Sequence, residues 1–237
     1  MSILRKSVIA TAFLAAGASI QAQEVSANIG VTSDYVWRGV SQTSEIASIS
    51  GGVDYATDGG FYAGTWVGSL GDNATGFTGS EVDLYAGYGG SISDTVSYDV
   101  GYIYYWYPSN DDIDFGEIYG GLGIGAFSVG IAVTTNSGGS NDDGLFEPGD
   151  IFYSAGVGGN LSDTWTAGLT LGYYTFTNDG DAGVGPADYF YYQVDFGKST
   201  DLGDFTLSLI DTSLSDANEF NAGDSDAKAV VSWGIGF

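Results

Sequence analysis

Nine charged side chains sit at the polar positions of alternating, strand-like runs: Asp34, Arg38, Asp54, Glu81, Asp83, Asp99, Glu117, Asp195 and Lys228. Carboxylates outnumbering cations in this way break and make no bonds by themselves. They suit the lining of an aqueous path, where acidic walls favour cations. A second set of acids crowds the segments between the runs. Asp142, Asp143 and Glu147 form one group, and Asp179 and Asp181 belong to "DGDAG", which resembles a fragment of a calcium loop. Such oxygen-rich groups suit Ca²⁺, or Mg²⁺ shared with anionic lipopolysaccharide. The closing Glu of an EF-hand is missing, since residue 190 is Phe. The competing reading of these acids is a solvated, mobile surface.

The residue types that are absent narrow the chemistry further. There is no histidine and no cysteine, which removes Ser-His and Cys-His nucleophilic catalysis and the commonest transition-metal ligand. No enzymatic function and no cofactor are expected. A formal net charge of −25 repels phosphate backbones, so nucleic acid is not an expected partner.

The elements that would position the nine charges begin after a leader. Arg5 and Lys6 precede an apolar stretch from Val8 to Ala18 and a small-residue exit at "SIQAQ". This layout predicts a secretory signal peptide over residues 1–22, leaving 23–237 as a single domain. A chain exported without cysteine must stabilise its fold with no disulfide. Glycine accounts for 39 of 237 residues, more than twice the ordinary share of about 7%. Together with 17 tyrosines, it points to β-structure in which some side chains must stay small.

Period-two alternation recurs along 23–237, separated by turn chemistry, and predicts twelve strands. The first has the apolar face Ala27, Ile29, Val31, Tyr35 and Trp37; the last runs from Ala229 to Phe237. Connections alternate between short ones, such as "DGG" at 58–60, and longer acidic ones, such as "TNSGGSNDDGLFEPGD" at 135–150. An even strand count with lopsided connections predicts an all-β, up-and-down antiparallel transmembrane barrel in the bacterial outer membrane. All nine charges fall on the face opposite the apolar one, where a barrel places its lumen. The terminal strand needs no cover if it pairs with the first. Inward glycines at 52, 87, 101, 121, 156, 158, 234 and 236 would leave room inside. Inward Ile103, Tyr105, Tyr107, Tyr119 and Tyr191 would take it away, so pattern alone leaves the lumen open or plugged.

Three stretches carry a family resemblance: "SDYVWRGVSQT" (33–43), "GGVDYATDGGFYAGTWVGSL" (51–70), and "EVDLYAGYGG" with "SYDVGYIYYWYP" (81–108). They are similar to the TorF family of porin-type proteobacterial outer-membrane proteins. The resemblance implies an outer-membrane location and a channel role, with no established substrate. The partners expected are outer-membrane lipid, lipopolysaccharide, the barrel-assembly machinery and small polar solutes. In the first motif, Tyr35 and Trp37 are expected to face outward at the membrane interface. Asp34 and Arg38 are expected to face inward, with Arg38 either a selectivity charge or the partner of lumen carboxylates. The readings carried forward are a passive, cation-leaning channel, a closed barrel with a structural or surface-interaction role, and a secreted soluble β-sandwich.

Overall fold

Alternating side chains place one apolar and one polar row on each strand, and a sheet built from such strands must bury or partner both faces. The computed structural model describes residues 24–71, 78–138, 146–177, 188–214 and 226–237. The chain runs through β1 (Glu24–Thr32), β2 (Val36–Trp37), β3 (Val40–Ser41), β4 (Ser48–Ala56), β5 (Phe61–Leu70), β6 (Gly79–Ser93) and β7 (Val96–Trp106). It continues through β8 (Phe115–Ile124), β9 (Phe127–Ser137), β10 (Ile151–Asn160), β11 (Trp165–Thr175), β12 (Tyr189–Thr200), β13 (Gly203–Thr212) and β14 (Lys228–Gly236). The described helical structure is one 3-10 turn at Asp111–Ile113.

Twelve of these strands form a closed antiparallel barrel in which chain neighbours pair and β14 pairs with β1. The seam runs from Asn28 opposite Gly236 to Thr32 opposite Ser232, so no open edge is left. Closure on itself replaces the β-sandwich reading. The tight connections 57–60, 94–95, 125–126, 161–164 and 201–202 share one end, and the longer ones share the other.

The outer surface is apolar around its waist. Ile29, Val31, Ile49, Val53, Leu84, Val100, Ile118, Val129, Leu169, Leu207 and Val231 are all exposed there. Aromatic rings flank the aliphatic band at both ends. Phe61, Tyr88, Phe127, Trp165 and Phe205 are exposed toward the short turns, and Tyr102, Trp106, Tyr153, Tyr173 and Phe190 toward the long connections. A band this apolar and this continuous is not a surface that water tolerates on a monomer.

The first strand is shorter than its apolar pattern predicts. β1 ends at Thr32, and β2 and β3 form a separate two-stranded hairpin with Trp37 opposite Val40. Its turn is Arg38-Gly39, with φ of +49° and +87°. Two positive φ angles in a two-residue turn match the twist of a tight hairpin. Glycine takes that conformation freely, while Arg38 takes it at a steric cost.

Candidate functional site

The hairpin folds into the barrel and does not extend the wall. Tyr35 and Trp37, expected on the lipid face, therefore lie inside. The Tyr35 hydroxyl donates to Glu81 Oε1 at 2.7 Å, and its ring lies 5.2 Å from that of Trp66. Trp37 meets Tyr105, Phe115, Phe146 and Tyr174 at centroid distances of 5.6, 6.0, 5.8 and 6.1 Å, edge to face. Such packing suits the ring quadrupoles. The correction has a simple cause: inward and outward are defined only while the strand stays in the wall, and this one leaves it after Thr32.

Arg38 is the centre of the plug. Its Nη1 and Nη2 donate to Glu117 Oε1 and Oε2 at 2.8 and 2.7 Å, and both side chains are buried. Tyr105 and Tyr174 hydroxyls also donate to Glu117, at 3.3 and 3.4 Å. The guanidinium stacks over Phe152 and Trp37, 4.0 and 4.3 Å from the ring centroids. Burial alone would lower its pKa; the Glu117 carboxylate overrides this and holds it above the ordinary value. The register shift opposite Gly116 and Glu117 places its extra residue, Thr135, on β9, while Phe115, Glu117 and Tyr119 keep the inward alternation of β8 that aims the carboxylate at the guanidinium. Of the two roles expected for Arg38, the geometry shows the partner of a lumen carboxylate.

The rest of the hairpin is fastened on every side. Asp34 Oδ1 accepts from Ser41 Oγ at 2.6 Å and Thr43 Oγ1 at 2.8 Å, so Asp34 braces the hairpin base and lines no path. Gly39 packs so tightly on Tyr191 of β12 that an added Cβ would lie 2.6 Å from the Tyr191 Cβ. Glu45 reaches Lys228 on β14 at 3.7 Å. Contacts thus run from β5 through β12 and on to β14, and the hairpin spans the cross-section. Tyr107, Phe146, Phe152, Phe176, Tyr189 and Leu214 complete one buried apolar cluster at the long-connection end.

Below the plug the inner wall changes character. Asp54, Asp99 and Asp195 lie there, half-buried, among Gly, Ser and Thr. Glu81, Asp83 and Glu117, expected to line a pore, are instead buried at the plug level. The tyrosines of the lower wall lie flat over glycines on neighbouring strands. Tyr62 is registered with Gly87, Tyr85 with Gly64 and Tyr119 with Gly101, and an added Cβ at each glycine would meet the tyrosine hydroxyl. Each hydroxyl is tied to the wall: Tyr85 to Asp54, Tyr62 to Asp99 Oδ1 at 2.9 Å, and Tyr119 to the Tyr62 hydroxyl. Glycine and tyrosine, opposed in their effect on the lumen by pattern alone, share one space.

All nine charges are inside the barrel, but Asp34 and Arg38 arrive there through the hairpin. Two further charges lie at the ends of strands on the outer face. Lys198 donates to Thr164 Oγ1 at 2.7 Å and stands over the Trp165 ring, and Asp211 accepts from the Tyr192 hydroxyl at 2.9 Å. Among the acids weighed for metal, Asp142, Asp143, Asp179 and Asp181 lie outside the described residues. Glu147 donates its backbone N–H to Asp150 Oδ2 at 2.8 Å, while Asp150 Oδ1 accepts from Thr177 N at 2.8 Å. Among the described residues no group of three or more ligating side chains is placed to hold a metal ion.

Residues 15–229 match a family model described as "Bacterial protein of unknown function (Gcw_chp)". The chain belongs to the Gcw_chp family. That description names neither TorF nor an activity. Among solved structures, the KdgM porin is similar at 10% identity and a TM-score of 0.57, over 90% of this chain and 98% of that one. The KdgM porin in complex with disordered oligogalacturonate gives 10% and 0.54, over 90% and 97%. The NanC porin gives 12% and 0.52, over 90% and 98%. No curated protein matches. At these identities the likeness shows a shared barrel fold, and the Gcw_chp barrel's own residues must supply the rest.

Proposed function

We propose that the protein is a porin-like channel of the bacterial outer membrane, passing small polar solutes with a lean toward cations. The hairpin closes it in the conformation described. The apolar waist between two aromatic belts supports placement in a bilayer. Lipopolysaccharide and outer-membrane lipid would meet that belt, and the barrel-assembly machinery would insert it. The observation that carries the channel reading is the lower inner wall. Its charges are Asp54, Asp99 and Asp195, with Glu24 and Asp204 at the short-turn rim, and no described basic side chain faces it, since Lys198 faces outward and Lys228 sits at the plug end. A wall of this sign repels anions. It therefore differs in the solute it suits from the KdgM porin in complex with disordered oligogalacturonate, an acidic sugar chain.

Planar-bilayer recordings in asymmetric KCl test the proposal. Wild-type protein should give small, cation-selective openings. The isosteric pair Arg38→Gln/Glu117→Gln, which removes both plug charges, should raise conductance. An anion-selective reversal potential overturns the ion preference. Silence from both proteins overturns transport and leaves the second reading, a closed barrel with a structural role, which the hairpin filling the cross-section favours.

A further inference from the structure

The lower lumen has two unlike sides. Strands β10 to β14 present mainly small inner residues, including Gly156, Gly168, Ser208 and Ser232, with Asp195 and Asp204 as their acids and no tyrosine at the lower level. Strands β4 to β8 present acids and tyrosine faces in register. Gly52, Trp66, Asp83 and Tyr105 form one inner row, and Asp54, Gly64, Tyr85 and Ile103 form the next toward the short turns. Tyr62, Gly87, Gly101 and Tyr119 follow, then Gly89, Asp99 and Gly121. Successive rows are two residues apart, or about 7 Å along a strand. Carboxylates thus descend one wall in the first, second and fourth rows, with tyrosine rings between them.

Asp83, at the floor of the plug, closes the upper end of this series. It is 8% exposed, and its Oδ1 has no hydrogen-bond partner among the described residues. A buried carboxylate oxygen left without a donor is costly and calls for an occupant that supplies one. The Trp66 Nε1 in the same row is likewise without a partner. Below it, Asp54 and Asp99 each hold a tyrosine hydroxyl, which presses the ring to the wall and leaves one face toward the lumen.

We infer that this wall is a binding site for linear organic ammonium ions of the polyamine type, an inference that rests on the channel reading for its access route. Ammonium groups would donate to Asp83, Asp54 and Asp99, and the alkyl segments and their flanking charge would lie on the faces of Tyr85, Tyr62 and Tyr119. A tyrosine face attracts an ammonium group placed over it and also packs against the alkyl segments between the amines, a contact that a metal ion does not offer. Asp83 on β6 and Asp54 on β4 stand one row and two strands apart, roughly 12 Å at about 7 Å per row and about 4.8 Å per strand, a span that the two end amines of an extended triamine can bridge, and Asp99 lies two rows lower. The carboxylates stand on different strands and do not converge as a metal cage requires.

The test is calorimetric titration of spermidine into the folded, detergent-solubilised full-length barrel at physiological salt. Saturable binding is expected, weakened at least tenfold by Asp83→Asn and by Asp54→Asn, and unchanged by Asp112→Asn on the exposed 3-10 turn. Tyr62→Leu, which removes a ring face and no charge, should weaken it less. Heat-modifiable migration on gels confirms that each variant is a folded barrel. No saturable binding, or equal binding by Asp83→Asn, Asp54→Asn and Asp112→Asn, overturns the site. Cation-selective current without spermidine binding defeats this inference alone, whereas binding without current defeats the channel reading alone.

Discussion

The two halves of the barrel are built from the same alternation and reach opposite results. At the long-connection end the inner face carries Tyr105, Phe115, Phe152, Tyr174 and Tyr191, and these rings project onto an inserted hairpin to make a solid core. At the short-turn end, Tyr62, Tyr85 and Tyr119 lie against glycines on the next strand and stay on the wall. Tyrosine content therefore says little about whether a barrel is open. The inserted hairpin decides: Tyr62, Tyr85 and Tyr119 lie over glycines below it, while Tyr191, which lies over Gly172 in the same way, joins the plug because Gly39 of the hairpin packs on it.

The largest effect that would break this contrast is expected at Arg38. Arg38→Ala leaves Glu117 buried without its cation, a loss of about 3–5 kcal/mol for a buried pair broken on one side. Guanidinium unfolding in lipid vesicles, followed by tryptophan fluorescence, measures it. Arg38→Gln/Glu117→Gln should recover much of the loss, and a wild-type midpoint for Arg38→Ala would mean that the hairpin is not fastened there.

Gly101→Ala probes the other half at an intermediate scale. The new Cβ would meet the Tyr119 hydroxyl and lie 2.8 Å from the Ala86 carbonyl oxygen, and overpacking of this kind costs about 1–3 kcal/mol. Tyr119 would be driven off the wall, so conductance of the hairpin-weakened channel should fall along with stability. If stability falls while conductance holds, the tyrosines do not control the lower lumen.

Lys228→Ala should do least. Lys228 is buried, but its partner Glu45 is exposed and 3.7 Å away, so the pair itself adds only about 1 kcal/mol or less. An effect as large as that of Arg38→Ala would shift the hairpin's main anchor from β8 to β14.

Much of the wall was legible from pattern. Strands β5 and β8, diluted by glycine, were still recoverable because Phe61, Ala63, Val67, Ile118 and Leu122 keep the period. The plug was not, because "YVWRGVS" continues the same alternation as the strand before it. One local signal was present: a two-residue Arg-Gly turn flanked by "VW" and "VS", which reads as a hairpin once Arg38 is allowed a positive φ. Arginine is an uncommon first residue in such a turn, so propensity pointed away from the answer that the ion pair with Glu117 imposes.

Period, charge placement and connection length determined a closed barrel, apolar outside and charged within, because a one-residue slip would turn charges onto the apolar face. Whether the interior was empty or filled depended on contacts between residues 79 positions apart, such as Arg38 and Glu117. A side chain's row shows which way it points, but only the assembled cylinder shows what it meets there.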